Sequence, residues 1–92
     1  MLSFLPKTPY EIIQDIKTKF KQQRKKLGYT QQELSIRSDV SLGSLKRFEQ
    51  TGQISFESLL KIALVLDCLK DFENLCKEKK ELPKSIEDIL DE

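Results

Sequence analysis

Ser44, Lys46 and Arg47 stand close together in a 92-residue chain that contains no histidine. A hydroxyl, an ammonium and a guanidinium are hydrogen-bond donors, and two of them carry positive charge. The arginine fork can bond O6 and N7 of a guanine together, which is worth about 1–3 kcal/mol of discrimination. The ammonium is a flexible point charge better suited to phosphate. Groups for bond-making chemistry are lacking. Histidine, the commonest general base and metal ligand, is absent. Cys68 and Cys76 have neither CxxC spacing nor a third ligand, and they read as small core residues. Gly28, Gly43 and Gly52 are isolated and form no phosphate loop. Glu87, Asp88, Asp91 and Glu92 read as a solvated acidic end rather than a cation site. No catalytic residue, metal or cofactor is expected.

The stretch that must position the three donors runs from Thr30 to Gly52. Thr30 is placed to cap one helix, with Glu33 three residues on to complete a capping box. Ser41 is placed to cap a second helix that stops near Gln50. Ser38-Asp39 between them tolerates a sharp turn. Leu34, Val40, Leu45 and Phe48 are spaced to give each helix one apolar face. Ser44, Lys46 and Arg47 are left on the outer side of the second helix. Two capped short helices joined by a tight turn, the second basic and outward-facing, describe a helix-turn-helix.

Around this unit the pattern predicts three more helices. The first begins at Thr8-Pro9, with threonine as cap and proline at the first helical position, and ends at Gly28. Its apolar stripe is Ile13, Ile16, Phe20 and Leu27, and its last turns carry Lys21, Arg24, Lys25 and Lys26. Ser55 is placed to cap a helix over residues 56–66. That helix is apolar on almost every side and is expected to be buried on more than one. Asp67 marks a break, and a last helix is predicted over residues 70–79 with Phe72, Leu75 and Cys76 facing in. Pro83 interrupts the chain beyond it, and Ser85 opens a short acidic turn with Ile86, Ile89 and Leu90 on one face.

The net charge of +1 hides an asymmetry. Residues 1–53 hold ten Lys/Arg against five Asp/Glu, while residues 54–92 hold six against ten. The half with the helix-turn-helix suits phosphate, and the other half suits solvent, a second subunit or a protein partner. No apolar run reaches the ~20 residues that span a bilayer. The opening MLSFLPK is too short and wrongly flanked for a signal peptide. With two cysteines and no secretory signal, the expected location is a reducing cytoplasm, at the nucleoid.

The pattern Arg24-x3-Gly28-x-Thr30-Gln31-x-Glu33-Leu34, then Val40-Ser41-x3-Leu45-x3-Glu49-x2-Gly52, then Leu60-x-Ile62-Ala63-x2-Leu66, resembles the Xre family. These are the helix-turn-helix domains related to the phage lambda and 434 repressors and Cro. The likeness covers roughly residues 17–78. Within that family, SLGSLKRFEQTGQISFESLLKIALVLD looks most like the HipB-like antitoxins encoded beside HipA-type kinase toxins.

The resemblance implies a role for each matching position. Gln31 matches a glutamine that holds a phosphate and braces the recognition helix; alone it reads as an ordinary helix start. Ser41 matches the residue that begins the recognition helix, and it is also a plain cap. Ser44 and Arg47 match positions that read base edges, and Lys46 falls beside them as a phosphate ligand. Gln53 matches a region that grips phosphate, and alone it reads as a loop residue. Arg24 and Glu49 match a pair behind the recognition helix, a structural brace. One departure stands out: where many relatives place two glutamines at the helix tip, this chain has Leu42 and Gly43.

The reading is therefore an all-α, compact five-helix lambda-repressor-like domain over residues 1–80, with the helix-turn-helix proper at 30–52 and a short acidic tail or helix at 81–92. The function it implies is a sequence-specific DNA-binding repressor that binds a double-stranded operator as a homodimer and autoregulates a toxin–antitoxin operon. The resemblance implies a HipA-type kinase toxin or its associated subunit as a candidate protein partner, and no membrane role or enzymatic activity is expected. The alternative is a protein-interaction module that binds a toxin or other partner and keeps the helix-turn-helix as scaffold.

Overall fold

The computed structural model describes residues 5–77. They form five helices in the order α1 (Pro9–Lys26), α2 (Gln31–Ser38), α3 (Leu42–Thr51), α4 (Phe56–Val65) and α5 (Leu69–Glu73), with no strand among the described residues. The acidic segment 81–92 lies outside the described residues, as does the end of the expected 1–80 domain.

Four helix starts are set by their own sequence. Thr8 and Thr30 each form a full capping box, with Glu11 and Glu33 returning a side-chain bond to the cap N–H. Ser41 Oγ accepts from the N–H of Ser44, and Ser55 Oγ from that of Ser58, at the starts of α3 and α4. The junctions turn on left-handed residues: Gly28 (φ 83°), Asp39 (φ 61°), Gly52 (φ 84°) and Asp67 (φ 63°). At Gly28 the N–H groups of Gly28 and Tyr29 bond back to the carbonyls of Lys25 and Arg24, a Schellman closure.

The core is Phe20, Leu34, Val40, Leu45, Phe48, Ile62, Ala63 and Leu66. All four inward positions expected of the helix-turn-helix lie within it. Edge-on aromatic contacts tie the helices together: Phe20 meets Phe48 of α3 at 5.8 Å and Phe72 of α5 at 6.2 Å between ring centres. Side chains of α1 also reach carbonyls left open at other helix ends. Gln14 Nε2 donates to Thr51 O at 3.2 Å, and Gln23 Nε2 to Leu66 O at 3.0 Å.

Helix α4 buries Ile62 and Ala63, with Leu66 buried as its C-cap, and leaves Phe56 62% and Leu64 65% exposed. Two expectations need correction. Leu27 does not join the apolar stripe; it is the C-cap of α1 and is exposed, because the next inward position after Phe20 is Arg24. Helix α5 ends at Glu73 rather than residue 79. Cys76 takes a left-handed φ of 58°, which a helix cannot accommodate, and Leu75 and Cys76 are exposed instead of facing in.

Candidate nucleic-acid interface

The site is built on the angle between α2 and α3. Ser35 Oγ donates to Val40 O at 2.6 Å, and Ser38 Oγ accepts from Val40 N at 3.3 Å, so the turn at Asp39 is wired from both sides. Val40 is buried at the turn, and Leu34 and Leu45 hold the two helices together. The direction of α3 is thus fixed by its first residues.

Its far end is held from behind. Arg24 Nε and Nη2 donate to Glu49 Oε2 and Oε1 at 2.7 and 3.0 Å, a two-pronged pair, and both side chains are buried. Arg24 Nη1 also donates to Tyr29 O at 2.9 Å. Gln31 Nε2 donates to Glu49 Oε1 at 2.9 Å. One carboxylate on α3 therefore gathers a donor from α2 and two from α1. No buried side-chain nitrogen or oxygen is left without a partner among the described residues. The Gln31 amide points at least one of its donors inward, at Glu49, rather than outward.

The outer surface of α3 carries the remaining candidates. Ser41 and Ser44 are exposed at the helix start, and the Ser41 hydroxyl donates to Ser44 Oγ at 2.9 Å. Arg47 is exposed, and its Nη2 donates to Gln53 Oε1 at 2.6 Å. Ser44, Arg47 and Gln53 line one cleft of about 270 Å3, closed on the other side by Ser55 and Ser58 of the α4 start. Lys46 is exposed on the opposite flank of α3, outside this cleft. The structure thus brings Ser44, Arg47 and Gln53 together, joins Gln31 to the Arg24–Glu49 pair beneath, and leaves Lys46 apart.

Gln50 is a further candidate on this surface that the sequence alone does not single out. Gly43, Arg47 and Gln50 recur at i, i+4 and i+7, along the line of α3 opposite the buried Leu45, Phe48 and Glu49, and all three are exposed. Gln50 offers an amide donor and acceptor there, and the spacing from Arg47 is the signal that identifies it. At the other end of the line, a Cβ built on Gly43 meets no atom within 4 Å among the described residues. The glycine is not demanded by the protein's own interior.

Neither cysteine lines the cleft of Ser44, Arg47 and Gln53. Cys68 is half-buried, and burial first, then the nearby carboxylates of Asp71 and Asp67, push its thiol up from the ordinary range. Cys76 is exposed, against the expectation of a core position. No group of three or more potential metal ligands occurs among the described residues, and no helix there is long and apolar enough to cross a membrane.

A buried, braced frame with an outward ridge of hydroxyl, guanidinium and amide groups is an arrangement that can present donors to an anionic, grooved surface. Comparisons with curated proteins and with solved structures find no match. The family model for the helix-turn-helix matches residues 20–71, more than half of the chain, from the middle of α1 into α5. The chain belongs to this helix-turn-helix family, of the Xre and lambda-repressor type, whose members are DNA-binding transcription regulators.

Proposed function

We propose that this chain is a sequence-specific repressor that lays α3 in the major groove of its operator. The observation that carries the reading is the exposed ridge on α3, with Ser44 and Arg47 beside Gln53 and a buried brace behind it. Arg47 is the principal base-reading group, and Ser44 lies beside it. Lys46, on the other flank, contacts phosphate, as do Ser41 and Gln31 near the helix starts. A homodimer sets two α3 helices in successive major grooves, with half-sites about 34 Å apart or a multiple of that. Exposed Phe56 and Leu64 on α4 support an apolar partner surface of this kind. The narrower part of the proposal is an antitoxin-like repressor in the cytoplasm that autoregulates its operon and pairs with a HipA-type kinase toxin. It rests on the resemblance of residues 41–67, with the segments Pro6-Lys7-Thr8-Pro9 and Pro83-Lys84-Ser85-Ile86.

The test is binding to the gene's own promoter at several salt concentrations. Affinity should fall steeply with salt as phosphate contacts release counterions. Arg47→Ala should weaken the promoter footprint while the fold is unchanged. Exposed Phe56 and Leu64 also favour a second reading, a protein-interaction module that keeps the helix-turn-helix as scaffold. A promoter affinity that is flat in salt and indifferent to Arg47→Ala would select that reading over the repressor.

A further inference from the structure

We infer that Gln53 is a positioning residue that aims the Arg47 guanidinium at the base pair it reads; the inference rests on the DNA-binding reading above. Arg47 is an exposed side chain with many rotamers, and a guanidinium reads guanine through two parallel bonds only if its plane is aimed. Gln53 Oε1 accepts from Arg47 Nη2 at 2.6 Å across six residues of chain, so the guanidinium is tied at one corner. Only one of its N–H donors is spent on that bond, and the fork remains for another acceptor.

The tie is useful only if Gln53 is itself fixed, and three contacts fix its backbone. Thr51 Oγ1 donates to Arg47 O at 2.7 Å and accepts from the N–H of Gln53 at 3.0 Å. Gly52 between them holds φ 84° and donates its N–H to Phe48 O at 2.7 Å. Gly52 is also buried so close to α1 that an added Cβ would fall 2.5 Å from Ile13 Cγ2. The wall of α1 therefore sets Gly52, the Thr51 hydroxyl links Arg47 to Gln53, and the Gln53 amide sets the guanidinium. Ser44 and Ser58 complete the same cleft. The sequence resemblance assigns Gln53 to phosphate; the geometry instead gives it a partner on the reading helix.

The experiment is selection of operator variants from a library randomised at each promoter position, with wild type, Arg47→Ala, Gln53→Ala, Gln53→Glu and the Arg47→Ala/Gln53→Ala double variant. A good arginine–guanine pair discriminates by roughly 5- to 150-fold. Arg47→Ala should flatten the preference at one base pair. Gln53→Ala should weaken the preference at that same base pair by about three- to tenfold, and the double variant should flatten it no further than Arg47→Ala. Gln53→Glu keeps an acceptor for Arg47, so it should keep that preference while binding all sequences more weakly through repulsion from phosphate. If Gln53→Ala weakens all sequences equally and leaves every preference intact, Gln53 is a phosphate contact and the inference falls alone. No effect of Gln53→Ala overturns it equally. If wild type enriches no sequence, the DNA-binding reading falls and takes the inference with it.

Discussion

Arg24 of α1 and Glu49 of α3 meet as a buried two-pronged ion pair, with Nε and Nη2 at 2.7 and 3.0 Å from the two carboxylate oxygens. Removing one partner strands a charge in the interior, which costs about 3–5 kcal/mol. Arg24→Ala should lower the urea midpoint accordingly, as followed by far-ultraviolet circular dichroism. Arg24→Lys should recover little of the loss, since an ammonium cannot make the fork. Replacing both residues with apolar ones of similar size should be far milder than either single change.

Gly28 and Gly52 share a left-handed φ but differ in surroundings. A Cβ at Gly28 meets no atom within 4 Å among the described residues, so Gly28→Ala should cost only the conformational penalty of about 1–2 kcal/mol. Gly52→Ala adds a collision with Ile13 Cγ2 and should cost clearly more. Combining Gly52→Ala with Ile13→Ala should recover that excess, and denaturant titration of the four variants measures the coupling.

Gly43 sits in the first turn of α3 in an ordinary helical conformation with open space around it. Alanine is the better helix former, so Gly43→Ala should stabilise the fold by about 0.5–1 kcal/mol, read as a rise in Tm. The same variant should weaken promoter binding if the backbone at this point approaches the DNA. A gain in stability with unchanged binding would remove Gly43 from the contact surface.

The two cysteines should separate on alkylation. Cys76 is exposed and Cys68 is half-buried, with its Sγ 3.4 Å from Leu66 O. The thiol of Cys68 is raised by burial, so the protonated form is favoured in the folded state. Its contribution to stability is complete below the ordinary thiol range and is lost as pH rises through the raised value. Iodoacetamide near pH 7.5, with mass spectrometry of the peptides, should modify Cys76 first. Cys68 should follow only at higher pH or on unfolding.

Helix starts are legible in this sequence because their signals are local. Thr8, Thr30, Ser41 and Ser55 act through N–H groups three residues away, and the two glutamates that complete capping boxes lie in the same turn. Leu34, Val40, Leu45 and Phe48 are legible as core for the same reason, a helical period broken at one turn. Partnerships between distant residues are not. Nothing in the neighbourhood of Gln23 announces the carbonyl of Leu66, and nothing beside Gln53 announces Arg47. Leu27 and Leu75 mislead because an apolar residue beyond the last full helical turn keeps its hydropathy and loses its face. Gln50 escapes because an amide on an exposed helix looks like solvent-facing filler until the opposite side is known to be buried.

The left-handed residues between the helices also bear on how the chain finds its shape. Gly28, Asp39, Gly52 and Asp67 let each helix stop and reverse within a few residues. Contacts within helices and between α2 and α3 are close in sequence, and little loop entropy is lost in forming them, while the α1–α3 and α2–α4 packings each span an intervening helix. Helical domains dominated by such local pairings fold in about microseconds to milliseconds. Stopped-flow refolding should accordingly be over within the instrument's first milliseconds, with α2 and α3 docking as neighbours rather than searching for each other.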